Sequence, residues 1–261
     1  MEKKVININL TKLIILIILL IVWISSIIKI IKWNKDNKDN EFIRNEIQQI
    51  IIKTNENQGD TNTTNNNLSD SSGLYSVDFN SLKKINPDAV AYLEVNGTNI
   101  TYPVVKSTDN SYYLLHNFNK EYNSSGWIFA DYRNKFDGTD KNLIIYGHNV
   151  KDNSMFGSLK NILTKEWYDN EKNYNIKLAT EGKNEAYRVF SVYQIEEEDY
   201  YIQTKFKNSE SFSSFIKTLQ KRSIKNFNEQ ISAEDNILTL STCANNNKYR
   251  IVLHAKKVNW F

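Results

Sequence analysis

The chain has 261 residues, 40% of them hydrophobic and 12% aromatic, enough for a packed core, so wholesale disorder is excluded. With 33 Lys and Arg against 30 Asp and Glu, the formal charge of +3 is too small and too dispersed for a nucleic-acid binder. One cysteine and three histidines (His116, His148 and His254) exclude a disulfide scaffold, a zinc finger and an iron–sulfur cluster. The His and acidic residues lack ligand spacing, so neither a metal nor a cofactor is expected.

Residues 13–31 form an apolar run of Leu, Ile, Val and Trp broken only by Ser25, Ser26 and Lys29. As a helix it spans roughly 28 Å at about 1.5 Å per residue, a bilayer core. Bulky residues flank Ser25 and Ser26 and no small-x-small cleavage site follows, which favours an uncleaved signal anchor over a removed signal peptide. Lysines lie on both sides, so the positive-inside rule does not set the orientation. The short tail at residues 1–12 has no core of its own. It is placed in the cytoplasm, and the bulk of the chain on the extracellular face of the cell membrane.

Residues 32–73 read as a juxtamembrane segment. Phe42, Ile43, Ile47, Ile50 and Ile51 recur at helical spacing, predicting a short amphipathic helix over 41–53. Residues 54–73 hold one large apolar residue, Leu68, among Asn, Thr, Ser, Asp and Gly, and read as a flexible spacer. A single domain is expected over 74–261. Within it, β-branched and aromatic runs predict strands at 93–95, 100–105, 126–130, 143–146, 174–179, 187–194, 237–241 and 249–258. Eight such strands point to a barrel or sandwich. Helices are expected at 81–85, 155–163 and 210–226, the last with a core-facing stripe of Phe212, Phe215, Ile216 and Leu219.

Cys243 ends the alternating strand 236–243 and precedes a polar turn. An unpaired cysteine in an exported domain is either a buried structural residue or a reactive thiol. A reactive thiol needs a proton acceptor, because at a pKa near ~8.5 only a few per cent is thiolate at neutral pH. His148 lies just past a hydrophobic strand, after Gly147, at a strand end facing a loop. Arg250 opens the strand after the Cys turn. A six-residue hairpin loop would set it opposite Cys243, able to donate to an oxyanion, whereas a five-residue loop would set it opposite Thr242. His254 lies four residues further along the same strand, ~13 Å from that position at about 3.3 Å per residue, out of bonding range of the thiol. His254 and His116 are read as structural.

Thr239-Leu240-Ser241-Thr242-Cys243, Arg250 seven residues later and Gly147-His148 upstream, behind a signal anchor, make the chain resemble the sortases, membrane-anchored cysteine transpeptidases of Gram-positive bacteria. Ile85-Asn86-Pro87-Asp88, Tyr102-Pro103-Val104-Val105, Asp109 to Leu114, Ile144 to Asn149 and Ser154 to Leu159 are similar to class B members. The sequence departs from that class at Ala91-Tyr92, where Gly-Trp is common, and at Ala244, where some members are acidic.

The resemblance implies an eight-stranded β-barrel with a few peripheral helices. It implies a catalytic set of His148, Cys243 and Arg250, and a groove lined by Asn110, Leu114 and Ser241. Cys243 would cleave a carboxy-terminal sorting signal of secreted proteins after Thr through a thioester. The acyl group would pass to the amine of a peptidoglycan cross-bridge or lipid-linked precursor. The resemblance also implies an unexceptional Cys243 pKa and slow turnover. The chain is taken as a monomer without nucleic-acid partners. The rivals are a cell-wall cysteine peptidase that only hydrolyses, and a non-catalytic anchored scaffold.

Overall fold

Short runs of β-branched and aromatic residues, punctuated by Asn, Asp and Gly, form the strands β1 (Ala89–Val95), β2 (Thr101–Val105), β3 (Phe129–Ala130), β4 (Asn142–His148), β5 (Asn175–Thr180), β6 (Lys183–Glu196), β7 (Ile237–Cys243) and β8 (Tyr249–Val258). This is a computed structural model describing residues 10–57, 77–196, 198–243 and 248–259. The strands close into a barrel in the order β1-β2-β3-β4-β7-β8-β6-β5, so each strand has a neighbour on both sides. All eight fall where the sequence places them. β1 begins earlier than expected, β6 is longer at both ends, and β3 is only two residues. Two neighbours run parallel, β2 with β3 and β4 with β7; the rest are antiparallel.

The barrel interior is filled by Leu93, Val104, Ile128, Ile145, Leu178 and Leu240, none with any exposure. The helices lie outside it: α1 (Leu10–Asn57), α2 (Phe79–Ile85), the single turn α3 (Lys165–Tyr168) and α4 (Ser209–Arg222). The helix expected at 155–163 is a 3₁₀ segment, Gly157–Leu163. Asn208 starts α4 through a reciprocal capping box with Ser211. Phe212, Phe215, Ile216 and Leu219 pack on Phe190, Tyr193 and Val252, a second core outside the barrel wall. α4 stops at Arg222, four residues short of the expectation. There the Ile224 amide donates to Val192 O at 2.9 Å and the Val192 amide to Ser223 Oγ at 3.1 Å, which pulls the chain back onto β6.

α1 differs most from the sequence reading. It runs unbroken through the apolar stretch and the segment expected to form a separate amphipathic helix. Its first half is long and apolar enough to cross a membrane, and none of that stretch is buried. Its second half docks on the barrel: Ile43, Ile47 and Ile51 join the main core. Asn40 and Asn123 exchange amide hydrogen bonds at 3.1 Å each way, Asn40 Nδ2 also donates to Gly126 O, and the Ser124 amide donates to Asp36. The expected spacer lies outside the described residues beyond Asn57, as does the turn at 244–247.

Candidate active site

The parallel pairing of β4 with β7 runs in register from Asn142 opposite Ile237 to His148 opposite Cys243. Both strands therefore deliver their last residue to the same level of one barrel rim. Gly147 makes this possible on the β4 side, since a Cβ there would stand 2.7 Å from the Phe156 ring. The His148 carbonyl accepts from the amides of Val150 and Phe156 at 3.0 Å each, which pins the strand end.

His148 is 3% exposed. Its Nε2 lies 2.7 Å from Leu114 O, and its Nδ1 is buried with no hydrogen-bond partner. A carbonyl only accepts, so Nε2 carries the ring proton and the bare lone pair is on Nδ1. Burial lowers the pKa of His148 below the usual histidine value, with the Leu114 carbonyl opposing. The ring is therefore neutral near pH 7, with Nδ1 ready to take a proton.

Cys243 is 9% exposed and is the chain's single cysteine. Burial pushes its pKa up to about 12, against the opposing pull of the Arg250 charge and a hydrogen bond from the Gly147 backbone. The unexceptional pKa expected from the sequence is thereby corrected. Desolvation outweighs one guanidinium, and the resting thiol is protonated.

The β7–β8 ladder ends with Ser241 paired to Val252, a register that puts Arg250 on the same face as Cys243, in keeping with the six-residue loop. Arg250 Nη1 donates to Thr242 O at 3.5 Å, and the Ile251 amide to Thr242 Oγ1 at 2.9 Å. Arg250 helps line a cleft of about 430 Å³ with Tyr146, Tyr201 and Ile202. A second cleft, about 520 Å³, reaches His148, Asn149 and Val150 from the α1 side.

The expected groove residues have distinct places. Asn110 donates to Asp131 at 3.0 Å and accepts from the Tyr132 amide at 3.0 Å. Leu114 contributes the carbonyl that holds His148. Ser241 is fully buried, with its Oγ 2.9 Å from Tyr201 OH. His254 is fully buried between Thr239 Oγ1 at 2.9 Å and Tyr193 OH at 2.8 Å, and burial lowers its pKa to about 3. His116 stacks on Tyr112 with ring centroids 4.0 Å apart.

One group was not legible in the sequence. Asp131, with no exposure, accepts from the Arg133 guanidinium at 2.8 and 2.7 Å, from the Arg133 amide at 3.0 Å and from Tyr146 OH at 2.9 Å. Burial works to raise its pKa, yet these donors hold it below the usual carboxylate range. Arg133 in turn donates to Ile202 O at 2.9 Å and so fixes one wall of the Arg250 cleft. The Asp131-Tyr132-Arg133 triplet just after a strand was the available signal. No cluster able to hold a metal occurs among the described residues.

A closed barrel whose rim unites a thiol, an imidazole and a guanidinium defines a candidate cysteine acyl-transfer enzyme. The sortase domain model matches residues 93–258, and the chain belongs to the sortase family, on its class B branch. It is 37% identical to sortase B of Listeria monocytogenes over 202 residues, 76% of this chain and 79% of the relative. A crystal structure of Bacillus anthracis sortase B in complex with AAEK1 superposes with a TM-score of 0.72 at 32% identity, covering 86% of this chain and 99% of that one. A Staphylococcus aureus sortase B–substrate complex gives 0.74 at 29% identity, covering 86% and 99%.

Proposed function

We propose that this chain is a membrane-anchored cysteine transpeptidase working outside the cell, with Cys243 as nucleophile, His148 as acid–base and Arg250 as oxyanion donor. The observation that carries this reading is the level pairing of His148 with Cys243 at the ends of β4 and β7. Family membership supports the transpeptidase class, and the apolar half of α1 supports the anchor.

In the first half-reaction, Cys243 gives its proton to His148 Nδ1 and its sulfur attacks the carbonyl carbon following the Thr side chain of a sorting signal. Arg250 meets the developing oxyanion. The imidazolium returns the proton to the departing amine as the C–N bond breaks, leaving a Cys243 thioester. In the second half, Nδ1 takes a proton from an incoming amine of a peptidoglycan cross-bridge or lipid-linked precursor. The amine nitrogen displaces the sulfur, which recovers its proton. With the thiol pushed up to about 12 and the imidazole pKa lowered, the reactive thiolate–imidazolium pair is a small population, which favours slow turnover.

The test is mass spectrometry of the full chain incubated with a sorting-signal peptide, with and without triglycine. An adduct confined to Cys243 and an amine-dependent ligated product are expected. Peptide release indifferent to the amine, with no ligated product, would assign a peptidase; no adduct at all would leave a scaffold.

A further inference from the structure

Two clefts flank the His148–Cys243 pair, and they differ in what lies at their outer end. The one beside Arg250 is bounded by Tyr146 of β4 and by Glu198, Tyr201 and Ile202 of the connection after β6, with no contribution from α1. The one beside His148 is closed on its other side by Lys29, Ile30 and Trp33 of α1. Those three residues stand at the end of the apolar stretch, where a spanning helix leaves the hydrocarbon.

The placement is rigid. Residues 32–35 alone separate the apolar stretch from Asp36, the first buried residue of α1, a rise of ~6 Å at about 1.5 Å per residue without a helix break, and Trp33 between them already packs against the main core. From Asp36 onward α1 is held by Ser124, Asn123 and Gly126, and by Ile43, Ile47 and Ile51 in the core. The barrel parts that face Lys29 to Trp33 must therefore share their depth. The surface there has the composition of a membrane interface: Lys32 Nζ lies 4.5 Å from the Tyr122 ring centroid, Tyr122 and Leu115 are exposed, and Lys151 stands on the cleft rim. The acids Asp36, Asp152 and Glu121 beside it are engaged, Asp36 with Ser124, Asp152 with the Ser154 amide and Glu121 with Asn117.

Resting on the anchor proposed above, we propose that the His148 rim of the barrel lies against anionic lipid headgroups, with Lys29, Lys32 and Lys151 meeting their phosphates. The α1-side cleft then opens onto the membrane surface and admits an amine carried on a lipid. The acyl donor occupies the opposite cleft beside Arg250, so the two substrates do not compete for one entrance. The barrel is held at the surface, and does not range above it on a tether.

The experiment uses the full chain with Cys243→Ala, so that an introduced cysteine can be labelled with bimane, reconstituted into phosphatidylcholine–phosphatidylglycerol vesicles bearing headgroup nitroxides. The label goes at Lys151→Cys or, as the distant site, at Lys183→Cys. Lys183 is exposed beside Gly138, near the far end of β4, ~20 Å from His148 at about 3.3 Å per residue. Quenching several-fold stronger at 151 than at 183 is expected. Equal quenching, or stronger quenching at 183, in chain that floats with the vesicles overturns the orientation while sparing the anchor. Chain that does not float overturns both.

Discussion

His148 stands level with Cys243 as the last of seven consecutive paired positions between β4 and β7. Because side chains alternate along each strand, a slip of one residue would turn one of the two to the opposite face. The ladder therefore fixes the thiol–imidazole relationship more firmly than any loop could, and Leu114 O completes it by holding the ring through Nε2.

Cys243→Ala removes only a sulfur from a site that is already nearly closed, so the fold should persist with a change under about 1.5 kcal/mol. Thioester formation should fall by about a thousandfold or more. Intact-mass analysis after incubation with the peptide, paired with a melting curve, checks both halves. An adduct persisting in the variant would show that Cys243 is not the nucleophile.

Arg250→Gln keeps a hydrogen-bond donor near Thr242 O and deletes the charge. Since that charge opposes burial at Cys243, the thiol pKa should climb further, and each unit of rise removes about tenfold of the thiolate at a given pH. Iodoacetamide alkylation measured between pH 7 and 10 should be slower throughout. An unchanged rate would mean that the guanidinium does not act on the sulfur.

The barrel was legible because its strands are local: β-branched runs between polar turns need no knowledge of their partners. The Cys243–Arg250 placement was legible up to a choice of loop length, which the β7–β8 register decides. What escaped were contacts between residues far apart in the chain. Periodicity in the sequence starts a separate amphipathic helix at residue 41 and gives the polar residues 34–40 no partners. The Asp36, Asn37 and Asn40 side chains instead find partners at Asn123 to Ser125, more than eighty positions away. Asp131 escaped in part for the same reason: Arg133 is two positions away, but Asn110 and Tyr146 reach it from 21 and 15 positions away.

Asn123→Ala tests how α1 is held. The amide bonds Asn40 in both directions and also donates to Asp36 O at 2.8 Å, so truncation strands buried polar groups on the helix. A loss of about 1–3 kcal/mol is expected, together with earlier proteolysis between residues 32 and 40 than in the unaltered chain. Unchanged stability and cleavage would mean that the hydrophobic contacts of Ile43, Ile47 and Ile51 hold the helix without the amide pair.

His254 makes the fold acid-sensitive. Its folded pKa of about 3 lies far below the 6.5 of an unfolded chain, so between these values the unfolded state takes up a proton that the folded state refuses. Its contribution is fully present above pH 6.5 and is lost as pH falls toward 3, by at most about 1.4 kcal/mol per pH unit. His148, also lowered, adds to the same slope. Urea midpoints of the full chain in detergent should drop between pH 7.5 and 5, and His254→Gln, which cannot titrate, should flatten that drop whatever its absolute stability. If the variant and the original chain lose stability in parallel, proton uptake by His254 is not what weakens the fold in acid.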